Sequence, residues 1–399
     1  MVSAPDKERN RWVILFVLYL CIIVFALTFQ AVPPILTLIR TELNLSHAQG
    51  GLLMSFFALP GVIVSIPAGM LADRYNPKAI GAASIALVIL GEVIFATGNS
   101  LPVLAAGRAI SGAGAMTLSV VTPQLLVQWF RERELGVAMG IFNTGMPLGT
   151  IVSLNLLSLL AETSGWRATV WASAGFSLVV LAIFAILYAK APQRKEHSTA
   201  EREDFLQSIR HVGTPVWLIG FVWMFFNASL VSFFTFSPDF LKSVGFSIAS
   251  AGFYTSLAMW PAFVTSPAIG YIIDKLDRKR TIIIVCGVST AIMLVFVPVA
   301  LGQMFALMLL IGITTSSIPT PVFAKVSEVV EHKRLGLGYG IAATCLNLGV
   351  LAGPALTGFM RDVTGTYQAS YILMAGFSLA IVVATLFLKR RSGTAGTNK

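Results

Sequence analysis

The stretch Gly69-Met-Leu-Ala-Asp73-Arg74-Tyr-Asn-Pro-Lys78 closes one apolar run, and Gly270-Tyr-Ile-Ile-Asp274-Lys275-Leu-Asp-Arg278-Lys279-Arg280 closes another, 201 residues later. Two more pairs repeat in the same order. Arg133-Glu-Leu-Gly136-Val-Ala-Met-Gly140-Ile141 returns 200 residues on as Lys333-Arg334-Leu-Gly336-Leu-Gly-Tyr-Gly340-Ile341, and Ala174-Gly-Phe-Ser-Leu178 returns as Ala375-Gly-Phe-Ser-Leu379. Three matches at nearly one spacing mean a duplicated unit about half the length of the 399-residue chain. Whatever fold one half adopts, the other half repeats.

Between these landmarks lie apolar runs of roughly 20 residues, the number that crosses a bilayer's hydrocarbon at about 1.5 Å per helical residue. Twelve spans are expected, at 12–33, 48–71, 79–98, 101–125, 136–161, 167–189, 216–237, 247–273, 281–300, 304–325, 336–360 and 368–388. The chain is 56% hydrophobic and 12% charged, with a mean hydropathy of +0.81, whereas a soluble globular protein carries about 25% charge. A water-soluble body, a disordered chain and a collagen-like chain are excluded by that balance. A β-barrel is excluded because the runs are continuous and do not alternate. The expected fold is all-α and membrane-integral, with twelve helices in two pseudo-symmetric six-helix bundles. The first run, Trp12 to Val32, is too long for a signal peptide's apolar core and lacks a small-x-small cleavage site, so it reads as an anchored helix. Cys21, Cys286 and Cys345 lie far apart inside apolar runs and read as packing thiols.

An even number of spans puts both termini on one side. With the N-terminus cytoplasmic, 23 of the 28 basic residues fall in inner segments, four (Arg40, Arg167, Lys242, Arg361) in outer loops, and Arg108 inside a span. Basic residues accumulate on the cytoplasmic side of membrane proteins, so the net charge of +10 is a topology signal and implies no nucleic-acid partner. Both termini are expected in the cytoplasm, in an inner or plasma membrane. The hydrophilic stretch 190–214 is expected to link two bundles, 1–189 and 215–399, the second ending in a short basic tail. Internal repeats of this kind mark secondary transporters, whose halves rock about a site near the membrane midplane.

Gly69, Leu71, Asp73, Arg74 and Lys78 match the loop-two-three signature of the major facilitator superfamily, G-x-L-x-D-R-x-G-R-K, with Asn76 and Pro77 replacing its Gly and Arg. Leu104, Arg108, Gly112, Gly114 and Ala115 match its fourth-helix signature, L-x-x-x-R-x-x-Q-G-x-G-A, with Ser111 in place of Gln. The chain resembles that superfamily along essentially its whole length. Around Gly140, Asn143, Gly145, Pro147 and Gly149, with Met146 where a proline should stand, it departs from the fifth-helix pattern of drug/proton antiporters. The run Trp129-Phe-Arg-Glu-Arg133 to Gly149 is more similar to members that carry small anions. The resemblance implies alternating access, with a small solute carried across the membrane.

Ionisable residues in hydrocarbon are functional candidates by default, and the expected spans contain two, Glu92 in span three and Arg108 in span four. Each lies about eight positions from the turn at Asn99 and Ser100, so the two share a depth and can pair. Arg108, Ser111, Ala115, Ser119 and Thr122 fall on one small, polar helix face, expected to line the central cavity. Arg108 either attracts an anionic substrate, since a guanidinium can grip a carboxylate through two hydrogen bonds, or locks helices three and four together with Glu92. Glu92 is also the candidate for proton coupling. Further candidates for substrate contact are Gln30, Asn143, Asn227, Thr314, Thr315 and Asn347, although such side chains also join transmembrane helices. Tyr254 and Trp260 offer an aromatic wall; packing is the alternative.

Asp73, Arg74, Lys78, Arg131, Arg133 and Glu134 in one half, and Asp274, Arg278, Lys279, Lys333 and Arg334 in the other, are expected to form a cytoplasmic gate. The superfamily resemblance implies that Asp73 and Asp274 latch it; the bland reading is that these charges only set topology, because exposed ion pairs contribute little. No enzyme, cofactor or metal site is expected, since His47, His197, His211 and His332 sit in loops or at span ends and no Cys cluster, phosphate loop or carboxylate pair exists. The expectation is a monomeric secondary transporter of a small organic anion such as a carboxylate, with protons as the candidate coupling ion. Its alternatives are an exporter of drugs or hydrophobic cations on the same fold, and a non-transporting membrane receptor or scaffold.

Overall fold

A computed structural model describes residues 4–74, 76–130, 132–188, 213–276, 278–330 and 335–388, and within them no side chain of 4–10, 64–74, 77, 132–133, 274, 327 or 335–336. The expected linker, 190–214, lies almost wholly outside these ranges. Helix α1 (Ala4–Phe29) stops short of Pro33 and Pro34, which lack the N–H groups that the carbonyls of Phe29 and Gln30 would otherwise meet. A 3-10 turn, Pro33–Ile35, leads into α2 (Leu36–Leu43), closed by Asn44 in the left-handed conformation with φ 51°. Next come α3 (His47–Arg74), α4 (Pro77–Thr97) and α5 (Leu101–Trp129). Asn76 starts α4 by accepting the Lys78 N–H at 3.1 Å, with Pro77 pre-set in the first turn.

The fifth crossing is broken into α6 (Glu132–Asn143), α7 (Gly145–Val152), a π-helical turn (Ser153–Leu157) and the first turns of α8 (Ser158–Leu187). Within α8 the chain reverses at Gly165, whose φ of 81° only a residue without Cβ adopts readily. The second half runs α9 (Thr214–Ser243), α10 (Ile248–Ser256), α11 (Ala262–Leu276), α12 (Lys279–Phe296), α13 (Met304–Ser316), α14 (Pro319–Val329), α15 (Leu335–Thr364) and α16 (Tyr367–Phe387).

Among the described residues nine helical stretches are long and apolar enough to cross a bilayer; one, Glu134–Leu187, contains two expected crossings, and the shorter His47–Ile63 and Ala262–Ile273 supply two more. Each of the twelve expected spans therefore has its helix. Exposed apolar side chains such as Ile186, Ile292 and Phe387 fit a surface solvated by hydrocarbon. Prolines or a π turn interrupt the helices of spans one, five, eight and ten. One expectation needs correction. Span seven does not end at 237: α9 continues through Pro238 to Ser243 and carries Asp239 with it.

The halves meet at the end of the molecule where α3 begins. There α3 crosses α15 so closely that a Cβ on Gly51 would stand 2.3 Å from the Pro354 carbonyl oxygen, and one on Gly358 would stand 2.2 Å from that of His47. Across the mouth, Gly252 of α10 leaves its missing Cβ 1.9 Å from the Leu154 carbonyl oxygen in the π turn. The bonds joining the halves gather here: Thr37 and Arg40 with Asp239, His47 and Ala48 with Asp362, Ser55 with Leu351, and Ala249 with Glu162. At the opposite end, the described bonds of Arg11 with Glu134, Lys78 with Ala185, Lys279 with Glu328 and Arg280 with Leu386 each stay within one half.

Candidate functional site: two buried charge clusters

Arg108 is 3% exposed and is held by backbone. Its Nε donates to the Leu53 carbonyl at 3.0 Å, one terminal nitrogen to Thr28 O at 2.6 Å and the other to Phe29 O at 3.2 Å, while the Phe57 ring lies 4.3 Å from the guanidinium carbon. Two of those carbonyls belong to the last turn of α1. The Phe29 oxygen is the one that Pro33 leaves without an N–H, and Ser153 Oγ takes the next, donating to Gln30 O at 2.7 Å. Arg108 thus closes the broken end of α1, supplying donors where the helix has none. Of the face expected to line a cavity, Ser111, Ala115 and Thr122 are buried and Ser119 is half-buried.

Glu92 is 4% exposed and does not bond Arg108 directly. Thr28 bridges them, giving its carbonyl to Arg108 and donating its hydroxyl to Glu92 at 3.1 Å. Ser173 and Ser177 of α8 donate to the same carboxylate at 2.5 and 3.3 Å. The expected pairing is therefore real as a network and absent as an ion pair. It draws α1, α4, α5 and α8 into one body.

The second cluster lies between the halves, and sequence reasoning missed its centre. Asp239, 2% exposed, accepts from Thr37 Oγ1 at 2.5 Å, Arg40 at 2.8 Å and Tyr367 OH at 2.5 Å. A second terminal nitrogen of Arg40 stands 3.0 Å from His47 Nδ1, and that ring nitrogen is 2.7 Å from Asp362 Oδ1. Asp362 also accepts the backbone N–H groups of His47 and Ala48 at 2.9 and 2.8 Å, capping the start of α3 from the other half. The expected span seven, 216–237, stops two residues short of Asp239. The available signal was the apolar residues on both sides of that aspartate, Phe233 to Phe236 before it and Phe240-Leu241 after.

The remaining candidates scatter. Gln30 is buried, and its side-chain oxygen has no hydrogen-bond partner among the described residues. Asn143 is exposed at the end of α6. Asn227 and Asn347 donate to backbone carbonyls one turn back in their own helices, and Asn347 packs against Gly61 of α3 in the opposite half. Tyr254 stacks edge-on against Phe246 and Phe253. Thr314 accepts from Thr290, and Thr315 bonds its own helix. Of the expected gate, Arg131, Lys333 and Arg334, and the side chains of Asp73, Arg74, Arg133 and Asp274, lie outside the described residues. Glu134 pairs with Arg11, Lys78 Nζ donates to Ala185 O, Arg278 is exposed, and Lys279 joins Lys325 on Glu328 at 2.5 and 2.6 Å. Burial alone would raise the Glu328 carboxyl, but the hydrogen bonds and charges of those lysines hold it below the usual carboxylate range.

Comparison with known proteins agrees with this architecture. A lysosomal dipeptide transporter, MFSD1, of Danio rerio is 23% identical over 96% of this chain and 88% of its own length. A hexuronate transporter of Bacillus subtilis is 24% identical over 95% of this chain and 94% of its own. Among solved structures, a bacterial homologue of the human lysosomal transporter Spinster, described as inward-facing and unoccupied, superposes with a TM-score of 0.76 at 17% identity, covering 97% of this chain and 95% of that one. The family model described as Major Facilitator Superfamily matches residues 18–253 and 235–399. With nearly the whole chain matched, this protein is a multi-pass membrane transporter of a small solute, not an enzyme, and it belongs to the major facilitator superfamily.

Proposed function

We propose that the protein carries a small organic anion with a free carboxylate, by rocking of halves 1–189 and 215–399 about the linker 190–214. The observation that carries the rocking is the one-sided contact between halves: glycine-lined crossings and a charge cluster close one mouth, while the described bonds at the other stay within each half. The excess of basic residues at the second mouth orients it to the cytoplasm, with both termini, so the sealed mouth faces outward and the state is inward-open. The anion is supported by the relatives, since a hexuronate and a dipeptide each carry a free carboxylate. Gln30, with its unpaired buried oxygen, and Asn143, Asn227, Tyr254 and Asn347 are the proposed solute contacts. Arg108 acts on them through α1, whose broken end it holds beside Gln30, and Glu92 is the proton-coupling candidate of the same network. Asp73 and Asp274 are the proposed inner latch, closing when the outer mouth opens.

The test is counterflow in proteoliposomes with radiolabelled D-glucuronate and glycyl-dipeptides, with and without an imposed pH gradient. Saturable uptake of one of them, abolished by a short bifunctional thiol reagent across Glu162→Cys and Ala249→Cys, which meet across the sealed mouth, is expected. Flux that ignores the cross-link would refute rocking. Exchange of lipophilic cations with no carboxylate taken up would refute the anion, and uptake indifferent to the gradient would remove the proton.

A further inference from the structure

We propose that Thr37, Arg40 and His47 form a carboxylate-binding site on the outer lip of the first half, filled by the chain's own Asp239 while the mouth is shut and offered to an external carboxylate when the halves part. The inference rests on the anion-transport reading and names a place where the solute is first held.

The site already holds a carboxylate in this state. Thr37 Oγ1 reaches one oxygen of Asp239 and Arg40 the other, and His47 Nε2 lies 3.8 Å from that second oxygen. All three donors belong to the first half; Asp239 belongs to the second. Next to it the second half inserts another carboxylate, Asp362, onto the His47 ring and the first two N–H groups of α3. Opening the mouth separates donors from acceptors. The first half is left with a hydroxyl, a guanidinium, an imidazole and two helix N-terminal N–H groups, all in positions that accommodate carboxylates. Asp239 leaves with Tyr367, whose hydroxyl stays bonded to it and whose ring carries Arg361 at 4.6 Å, so the departing anion keeps partners of its own.

Asp239 also fills the site incompletely. It engages Arg40 through a single terminal nitrogen, and the Arg40 Nε–H is buried without a hydrogen-bond partner among the described residues. A free carboxylate can approach such a guanidinium along its Nε edge and form two parallel bonds where the tethered aspartate forms one. Gly50 makes the approach possible, because a Cβ there would stand 3.0 Å from Arg40 Cδ and push the side chain off α3. Closing then replaces the external carboxylate with the internal one, which releases the solute inward and completes the seal in one exchange.

The probe is formate, the size of the carboxyl group that Asp239→Ala removes. In that purified variant, sodium formate should raise the thermal unfolding midpoint by about 2 °C or more over sodium chloride at equal concentration, and Arg40→Met added to it should remove the gain. In wild-type protein, formate should slow phenylglyoxal modification of Arg40, read by peptide mass, about threefold relative to chloride. Absence of a formate effect in Asp239→Ala, its persistence with Arg40→Met, or equal labelling of wild type in the two salts would each overturn the site. Neither readout requires flux, so a failure here leaves the transport reading standing, and a failure of counterflow leaves these measurements interpretable.

Discussion

Arg108 and Arg40 are both sequestered guanidiniums, and they do opposite things. Arg108 is bonded to three backbone carbonyls of its own half and reaches its carboxylate only through Thr28. Arg40 is bonded across the boundary between halves to the Asp239 carboxylate, and within its own half to the His47 ring, which the second half's Asp362 holds in turn. Backbone partners do not leave when the halves move; side-chain partners on the other body do. A buried charge inside one half therefore makes a rigid unit, and a buried charge between halves makes a contact that can be exchanged.

The comparison breaks most visibly at Arg108. Arg108→Met strands three carbonyls and leaves Glu92 without its nearest cation; breaking such a buried charge network costs about 3–5 kcal/mol, so folded yield should collapse in size-exclusion profiles of detergent-solubilised protein. Arg108→Lys, with one ammonium for three acceptors, should recover only part of that yield. Next in size is a wedge at the seal. Gly252→Leu drives a side chain into the Leu154 carbonyl and should hold the sealed mouth open, cutting transport about five- to hundredfold by an overpacking cost of about 1–3 kcal/mol. Its melting temperature should stay near wild type because each half remains intact. Thiol accessibility of Ala249→Cys, whose N–H meets Glu162 across the seal, would read the opening.

Asp239→Asn sharpens the contrast further. It keeps the shape and removes the charge, so the fold should survive while the ratio of molecules with this mouth open to those with it shut rises by the equivalent of about 1–3 kcal/mol, a five- to hundredfold change. Double electron–electron resonance between labels on the two halves would measure it. The smallest effect is expected at Glu328. Its carboxyl is held below the ordinary range in the fold, so its contribution is present above the unfolded-state pKa and fades as pH falls through the folded one. Wild type should lose no more than about 1 kcal/mol relative to Glu328→Gln between about pH 6 and pH 3, followed by thermal unfolding.

The two clusters differ in how far the sequence reveals them. Glu92 and Arg108 stand out because a charge in the middle of an apolar run is rare, and their depth follows from counting residues to the turn at Asn99. What each one bonds is not in the pattern, because Thr28, Leu53 and the two serines of α8 come from helices whose rotation only packing decides. Asp239 fails the same count. Span seven is expected to close at 237, yet α9 runs on to Ser243, and the charge that falls just outside the expected span is 2% exposed. Arg40 and His47 look like ordinary outer-loop residues for the same reason, since nothing local says that the opposite half will cover them.

By itself the sequence determined the twelve crossings, their duplication and the family, because a bilayer admits few solutions for the backbone and each must be written as a long apolar run with its charges at the ends. Tertiary structure alone decided which mouth is shut, that Arg108 serves the broken end of α1, and that Asp239 sits between Thr37 and Arg40. Those facts depend on which helix surfaces pack against one another, within a half and between halves, and contact between residues some 80 to 200 positions apart leaves no local mark on either.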